Sequence, residues 1–361
     1  MFMTLGLGSS DTPSNVAKFI ELGAKEFFIG YVPRAWLDKF GWEVGPNRRT
    51  MGPAYNYSNV SELRDIVKGI HDYGGTVNLA VNAHDNGADR MGMVHDMLDL
   101  FETLNPDGYI VADPAVMYCM KKWGITREMH ISTGVGCFNS EAVRFFCEEF
   151  KNITRLVIPR KLTINEMKSI IDGLKDLKLE YEVMIIGYRC YFNDEDCHSI
   201  HSGKRRNLCG DVLSAHFTST NRFPSNWKDV VEYMIEHPRE SLNEGSPVDK
   251  FRKEWLATTP PPYPNFEYKC AGCQGVDGEL AHLMFQTCGL CAIKYLRQIG
   301  VEALKVPLRG DEETKLNVVK TVSQVMNAEN PTREFCRSLI NSDSFCNSKF
   351  SCYYEVPEED K

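Results

Sequence analysis

No stretch of the sequence carries the run of about 18 apolar residues that a membrane-spanning helix needs. The first fifteen residues, MFMTLGLGSSDTPSN, also lack the basic segment that precedes the apolar core of a signal peptide. We therefore expect a cytoplasmic protein that does not insert into membranes.

Glycine motifs for nucleotide binding are missing too, since neither GxGxxG nor GxxxxGK followed by Ser or Thr occurs. No internal repeat and no protease triad can be recognised from spacing.

Positively charged residues are fewer than negatively charged ones, with 41 Lys and Arg against 49 Asp and Glu, for a net charge of −8. This balance argues against a broad nucleic-acid-binding surface and slightly favours a small-molecule substrate over RNA. A local basic patch remains at 204–206.

What the sequence does contain is an alternation of short apolar strands with amphipathic helices, typical of parallel strands joined by crossover helices. Its 361 residues, 43% of them hydrophobic, suffice to bury one large α/β barrel. We predict eight strands: Thr4–Gly8, Glu26–Tyr31, Thr76–Asn82, Gly108–Ala112, Glu128–Thr133, Arg155–Pro159, Glu180–Ile186 and Ala303–Pro307. The fold class is therefore α/β, a (β/α)8 TIM-like barrel, with a doubly wound open sheet as the alternative.

The alternation stops between about Cys190 and Leu290, where Cys, Gly, Pro and charged residues dominate. We predict a barrel formed by 1–189 and 300–330, a cysteine-rich metal-binding insertion before the last strand at 190–299, and a cysteine-containing carboxyl-terminal tail at 331–361. Because loops that follow strand carboxyl ends build the active sites of barrel enzymes, we expect the insertion to form part of the site.

Thirteen cysteines are many for this length, and in a reducing cytosol they are not expected to form a disulfide framework. Cys119, Cys137 and Cys147 fit core packing. The others suggest metal ligation.

Two groups have metal-ligand spacing. The first follows a predicted buried strand: Cys190, Cys197 and Cys209. The second has paired CxxC spacing: Cys270, Cys273, Cys288 and Cys291. Either the second group is a closed zinc site, or Cys291 joins the first group and the other three belong to a second cluster or zinc site. The candidates to complete such a second site are the tail cysteines Cys336, Cys346 and Cys352.

Several segments resemble peptidase family U32, in order along most of the chain. Asn56-Tyr-Ser-Asn-Val-Ser-Glu-Leu63 is similar to the family's NFS and EL region, Ile110–Pro114 to its IVADPG, and His130–Thr133 to its HLST. Cys288-Gly-Leu-Cys291 is similar to its KDLC and puts Cys291 at the family's fourth cysteine. A glutamate of the family's KIEGR is replaced by Pro307.

This resemblance implies a [4Fe–4S] cluster on four cysteines: Cys190, Cys197, Cys209 and Cys291. It further implies oxygen-independent hydroxylation, of a ubiquinone precursor or of RNA bases, with prephenate as the suspected oxygen source. Some members work with a homologous subunit, which makes such a subunit a candidate partner. The resemblance does not carry the substrate over to this chain.

Polar residues at the predicted strand ends are expected to face the barrel mouth. They are Asn78, Asn82, Asp113, His130, Ser132, Thr133, Arg160, Lys161, Arg189, Lys305 and Arg309. Among them we select Arg160 and Arg309 to bind an anion through two parallel hydrogen bonds, His130 to transfer a proton, and Asp113 as a further catalytic candidate. The alternatives are an ion pair of these arginines with Asp113 or Glu302, and a structural histidine.

Three functions follow from these observations. The first is an iron–sulfur enzyme for oxygen-independent hydroxylation or a related redox modification of a small molecule or RNA base. The second is a peptidase in which zinc has a structural role. The third is a non-catalytic, cluster-bearing subunit of a hetero-oligomer.

Overall fold

The protein is seen here in a computed structural model that describes residues 1–41, 45–49, 55–84, 86–187, 194–195, 229–230, 233, 245–258, 287–308, 312–340, 346 and 352–356. The chain divides into two compact units, one formed by 1–207 and 275–361 and the other by 208–274. In the second unit the structure describes one helix, Pro247–Thr258.

Eight parallel strands close into a barrel in sequence order, and β1 pairs with β8 to complete it. The strands are β1 Phe2–Gly6, β2 Ala24–Ile29, β3 Thr76–Val81, β4 Gly108–Val111, β5 Glu128–Ile131, β6 Ile153–Val157, β7 Glu180–Met184 and β8 Ala303–Val306. Every strand predicted from the sequence is present within a few residues of its expected bounds. The predicted TIM-like barrel is confirmed, and the open sheet is excluded.

Helices of the first unit follow the strands around the outside of the barrel, and one further described helix belongs to the second unit. They are α1 Pro13–Glu21, α2 Arg34–Phe40, α3 Val60–Asp72, α4 Ala88–Leu104, α5 Pro114–Lys122, α6 Ser140–Glu149, α7 Ile164–Gly173, α8 Pro247–Thr258 of the second unit, α9 Ile293–Gln298, α10 Glu312–Asn327 and α11 Arg333–Ile340. None of the helices described is both long enough and apolar enough to cross a membrane.

Local sequence signals set where these helices begin. The Asn59 side chain accepts a hydrogen bond from the Ser61 backbone N–H at 2.8 Å and caps α3. Thr163 and Glu166 form a reciprocal capping box at α7, in which the Thr163 N–H donates to Glu166 Oε2 at 2.7 Å. Each helix is thereby fixed directly after the loop that leaves a strand end.

The apolar core lies between strands and helices, where one face of each strand is buried by Leu, Ile, Val and Phe side chains. The other face of each strand points into the barrel. Instead of the usual branched aliphatic layers, that interior holds charged and polar side chains: Thr4, Glu26, Asn78, His130, Arg155, Glu182 and Lys305, none more than 7% exposed.

Candidate functional site

A buried ion-pair network crosses the barrel interior. Arg155 on β6 donates to Glu26 on β2 through Nη1 and through Nη2 at 2.9 Å, and also to Glu182 Oε2 on β7 at 3.0 Å. Lys305 on β8 donates to the other oxygen of Glu182. Strands β2 and β6 are not neighbours, so the pair between Arg155 and Glu26 spans the interior.

Two buried cations thus face the buried carboxylates of Glu26 and Glu182, and Arg155 also donates to the partly exposed Glu180 through Nε at 2.9 Å and Nη2 at 2.6 Å. Burial opposes the ionisation of Glu182, but Lys305 and Arg155 outweigh it and lower the pKa of this carboxyl to about 2. The carboxylate form is thus fixed at neutral pH. The ion pairs of Glu182 with Lys305 and Arg155 are therefore present at neutral pH.

His130 lies inside the same layer, at mid-strand on β5, and its side chain is 1% exposed. Neither ring nitrogen has a hydrogen-bond partner, and Nε2 is 3.9 Å from Glu128 Oε2, too far for a hydrogen bond. Glu26, His130 and Glu182 have ligand atoms within 4.8 Å of one another. Because both carboxylates are already paired with cations, we assign no metal to this group.

Phe28 separates this network from the barrel mouth. Its ring has the Lys305 ammonium 4.0 Å from the centroid, and the Arg49 guanidinium carbon 4.9 Å from it. Cations over an aromatic face are stabilised by the ring quadrupole. Lys305, expected at the mouth from the sequence, therefore lies in the interior, and the buried Arg49 contacts the same ring.

The loop between α2 and α3 lines the mouth with basic and amide groups that sequence analysis missed. The Arg48 N–H donates to Asn82 Oδ1 at 3.1 Å, and Arg48 Nη1 lies 3.0 Å from His84 Nδ1. Arg49 donates to the carbonyl of Leu7 beyond β1. The available signal was the sequence Asn47-Arg48-Arg49, polar residues in the loop that follows the second βα unit.

Two other predicted residues have defined positions near the mouth. Asn82 Nδ2 lies 3.5 Å from Ser132 Oγ, which links the loops after β3 and β5. Asp113 caps α5, accepting from the Ala115 N–H at 2.8 Å with one oxygen and from Asn86 Nδ2 at 3.1 Å with the other. These hydrogen bonds give Asp113 a structural role as the cap of α5.

Arg160, three residues beyond β6, binds Asp194 through two parallel hydrogen bonds. The bond from Nε to Asp194 Oδ2 is 2.6 Å long, and both side chains are largely buried. Arg160 also forms a hydrogen bond with Tyr353 of the carboxyl-terminal segment. The ion-pair partner is thus Asp194, in place of the Asp113 or Glu302 considered from the sequence.

The segment before α9 is fixed to the end of β7. Thr287 Oγ1 donates to the Gly187 carbonyl at 2.6 Å, and the Gly289 N–H donates to the Ile185 carbonyl at 2.7 Å. A Cβ on Gly289 would come within 2.9 Å of Ile185 Cδ1, so the close approach requires glycine here. Cys291 then lies in a single 3₁₀ turn, Leu290–Ala292.

The Cys291 thiol has a perturbed environment. A hydrogen bond from the Cys336 thiol lowers the pKa of Cys291, with help from Arg333 and against the effect of burial. The thiolate, the form that binds metals, is therefore reached at a lower pH than in an ordinary cysteine. Other predicted ligands and site residues lie outside the described residues: Cys190, Cys197, Cys209, Cys270, Cys273, Arg189 and Arg309.

Comparison with known proteins shows one matching family and several relatives. The model of peptidase family U32 matches residues 12–344. The uncharacterized protease MJ0090 of Methanocaldococcus jannaschii is 30% identical over 42% of this chain and 37% of its own length. The tRNA hydroxylation protein P1 of Bacillus subtilis is 30% identical over 44% of this chain and 33% of its own length.

The chain thus matches less than half of the length of either relative. Among solved structures, the U32 peptidase Mk0906 is 17% identical with a TM-score of 0.38, over 54% of this chain and 75% of that one. The family match covers β2 to β8 of the barrel and the segment that carries Cys291. This chain belongs to peptidase family U32.

Proposed function

We propose that this protein is an iron–sulfur enzyme that hydroxylates a base in RNA without molecular oxygen, with a [4Fe–4S] cluster bound by four thiolates. Those thiolates come from Cys190, Cys197, Cys209 and Cys291. Support for the cluster comes from the geometry around the ends of β6 and β7. Support for the substrate class comes from relatives named as tRNA hydroxylation proteins.

The observation that carries the proposal is the fixing of two cysteine-bearing segments at adjacent strand ends. Asp194, between Cys190 and Cys197 in sequence, is bound by Arg160 after β6. The segment that contains Cys291 is hydrogen-bonded to Gly187 and Ile185 after β7. Strands β6 and β7 are paired neighbours, so the anchors of both segments lie on one side of the barrel mouth.

The chemistry of the described donor fits an iron–sulfur cluster. Iron in such clusters binds cysteine thiolate, and the environment of Cys291 favours that form. When bound, the cluster supplies one-electron transfer to a substrate at the mouth. The protein's own contribution is to bind and orient that substrate.

Arg48 and Arg49 are the described residues best suited to bind an anionic substrate. Both lie at the mouth, in the loop between α2 and α3, and guanidinium groups bind phosphate through parallel hydrogen bonds. They provide local positive charge in a chain whose net charge is −8. A nucleotide could thus be held at the mouth without a broad basic surface.

The test begins with anaerobic purification and metal analysis. At least about four irons per chain are expected, of which about four should be lost in Cys190→Ala and Cys291→Ala and none in Cys119→Ser. The iron-loaded protein should then be incubated with tRNA and prephenate, whose loss of an oxygen atom would be the reduction that balances the two-electron oxidation of the base, with a reductant added only to prime the cluster. Mass spectrometry of the nucleosides should show the gain of one oxygen atom.

Two results would contradict the proposal. Stoichiometric zinc without iron, together with hydrolysis of peptides, would favour the structural-zinc peptidase. Iron binding without turnover, restored only by a homologous subunit, would make this chain a cluster-bearing partner.

A further inference from the structure

Five described cysteines lie together beside the end of β7, on two segments far apart in sequence. They are Cys288, Cys291, Cys336, Cys346 and Cys352. Cys288 forms one β-bridge with Ile186 and another with Cys352. The Tyr353 N–H donates to the Cys288 carbonyl at 2.9 Å. The carboxyl-terminal segment is thereby held against the segment that precedes α9.

Helix α11 carries one further cysteine of this group, Cys336, and contacts another, Cys346. Cys336 is fully buried on α11, and its thiol donates to Cys291. Arg333, one turn earlier, donates from Nη2 to the Cys346 carbonyl at 3.1 Å. Two cysteines from near α9 and three from the carboxyl-terminal region thus meet in one place.

The sulfur atoms are close enough to influence one another. Burial raises the pKa of the Cys288 thiol, and its interactions with Cys291, Cys346 and Cys352 raise it further. Arg333 and Arg337 on α11 provide positive charge beside Cys291 and Cys346. Burial and mutual repulsion therefore oppose several thiolates at once, and a bound metal together with the two guanidinium groups would offset this cost.

We propose that Cys288, Cys336, Cys346 and Cys352 form a second thiolate metal centre, distinct from the cluster that uses Cys190, Cys197 and Cys209. This second centre rests on the proposed function in one respect, because Cys291 is assigned to the first centre there. Removing Cys291 from the five leaves four thiols, the number that a zinc ion or a [4Fe–4S] cluster takes.

The spacing of the sulfurs indicates which metal to expect. In the described chain, no three of these five sulfurs all lie within 4.8 Å of one another. A single zinc ion with bonds of about 2.3 Å would draw four sulfurs to roughly 3.8 Å from each other. In a cluster, each thiolate binds a different iron and the ligands stand farther apart. This spacing is easier to reconcile with a cluster than with a single zinc ion, so we test for iron first.

The centre would connect metal loading to the shape of the mouth. Tyr353 follows Cys352 directly and forms hydrogen bonds with Arg160 and Thr287. Tyr354 donates from its hydroxyl to the Met184 carbonyl at 2.6 Å. A metal that binds Cys352 thus fixes the two tyrosines that contact Arg160 and the end of β7.

The test uses the full-length protein, purified anaerobically and left folded. Iodoacetamide labelling with peptide mass spectrometry should find these four thiols protected, and removal of metal with a chelator should increase their labelling at least tenfold. Cys119 and Cys147, which are partly exposed on α5 and α6, serve as controls whose labelling should not change. Cys352→Ser should lose about four of about eight irons, while Cys147→Ser loses none.

Labelling of the tail thiols that chelation does not change would show that burial alone protects them, and it would overturn the proposal. A disulfide among them in the anaerobic protein would overturn it as well. Cys190→Ala separates the two centres: it should abolish the first and leave protection of Cys336, Cys346 and Cys352 intact. Zinc bound to these thiols would support the centre and refute iron as its metal.

Discussion

Arg160 holds Asp194 by two parallel hydrogen bonds, and Asp194 lies in sequence between two of the proposed cluster ligands, Cys190 and Cys197. The rigid end of β6 is thereby connected to the cysteine loop. The same guanidinium binds Tyr353 from the carboxyl-terminal segment. Arg160, chosen from the sequence to grip a substrate, thus has a described role in joining three parts of the chain.

Replacing Asp194 with Asn should reduce both stability and iron content. The change leaves the guanidinium of Arg160 buried without its counter-charge, which costs about 3 to 5 kcal/mol for a buried pair. Urea unfolding and iron per chain measure the two effects. The matched control is Asp176→Asn, which alters an exposed arginine–aspartate pair with Arg144 and should change neither quantity noticeably. Full iron content in Asp194→Asn would contradict a role for this pair in holding the cysteine loop.

Replacing Glu182 with Gln should destabilise the barrel strongly. Lys305 and Arg155 would remain buried with one carboxylate fewer, and we expect the free energy of unfolding to fall by about 3 to 5 kcal/mol. Glu149→Gln removes a carboxylate from an exposed pair with Lys121 and should have little effect. Equal free energies of unfolding for the two variants would show that the interior network contributes no more stability than an exposed ion pair.

Protonation of the Glu182 carboxyl should also lower the free energy of unfolding in acid. Its folded pKa of about 2 lies below the unfolded value of about 4.3, so its contribution is complete above about pH 4.3 and is lost as the pH falls toward 2. Urea unfolding measured across that window should show a steeper decline for the native protein than for Glu182→Gln. Parallel curves would contradict the depressed pKa of Glu182.

Replacing Arg48 with Ala should weaken the binding of tRNA by about tenfold or more, the cost of one charge-assisted hydrogen bond. Fluorescence anisotropy with labelled tRNA measures the dissociation constant at fixed salt. Arg34→Ala, which removes an exposed arginine from α2, is the control of equal charge change. If both variants bind equally well, the mouth loop does not contact the nucleic acid.

The barrel itself could be predicted from the sequence because each strand has an apolar face that must be covered by helices. Those faces are continuous in residues such as Leu5, Phe27, Leu79 and Val183, which are all fully buried. The charged interior was harder to recognise, since a single glutamate or arginine within a short strand does not reveal its partner. Glu26 and Arg155 are 129 positions apart and meet only when the barrel closes.

The mouth was predicted only in part for a related physical reason. Strand ends such as Asn82 and Ser132 can be located once the strands are known, and both are at the mouth. The loop with Arg48 and Arg49 has no periodicity, so the sequence shows that these residues are polar but not where in the fold they lie. Its position depends on distant contacts, such as the bond from Arg49 to Leu7.

The ion-pair network also restricts which residues of the barrel can change. Glu26, Arg155, Glu182 and Lys305 form one layer of ion pairs across the interior, and the Phe28 ring lies over Lys305. Removing one member of such a layer leaves another buried charge without its partner, so these positions should tolerate little substitution. Arg48 lies in a loop outside this layer, and such a loop can change in sequence without disturbing the charges beneath it.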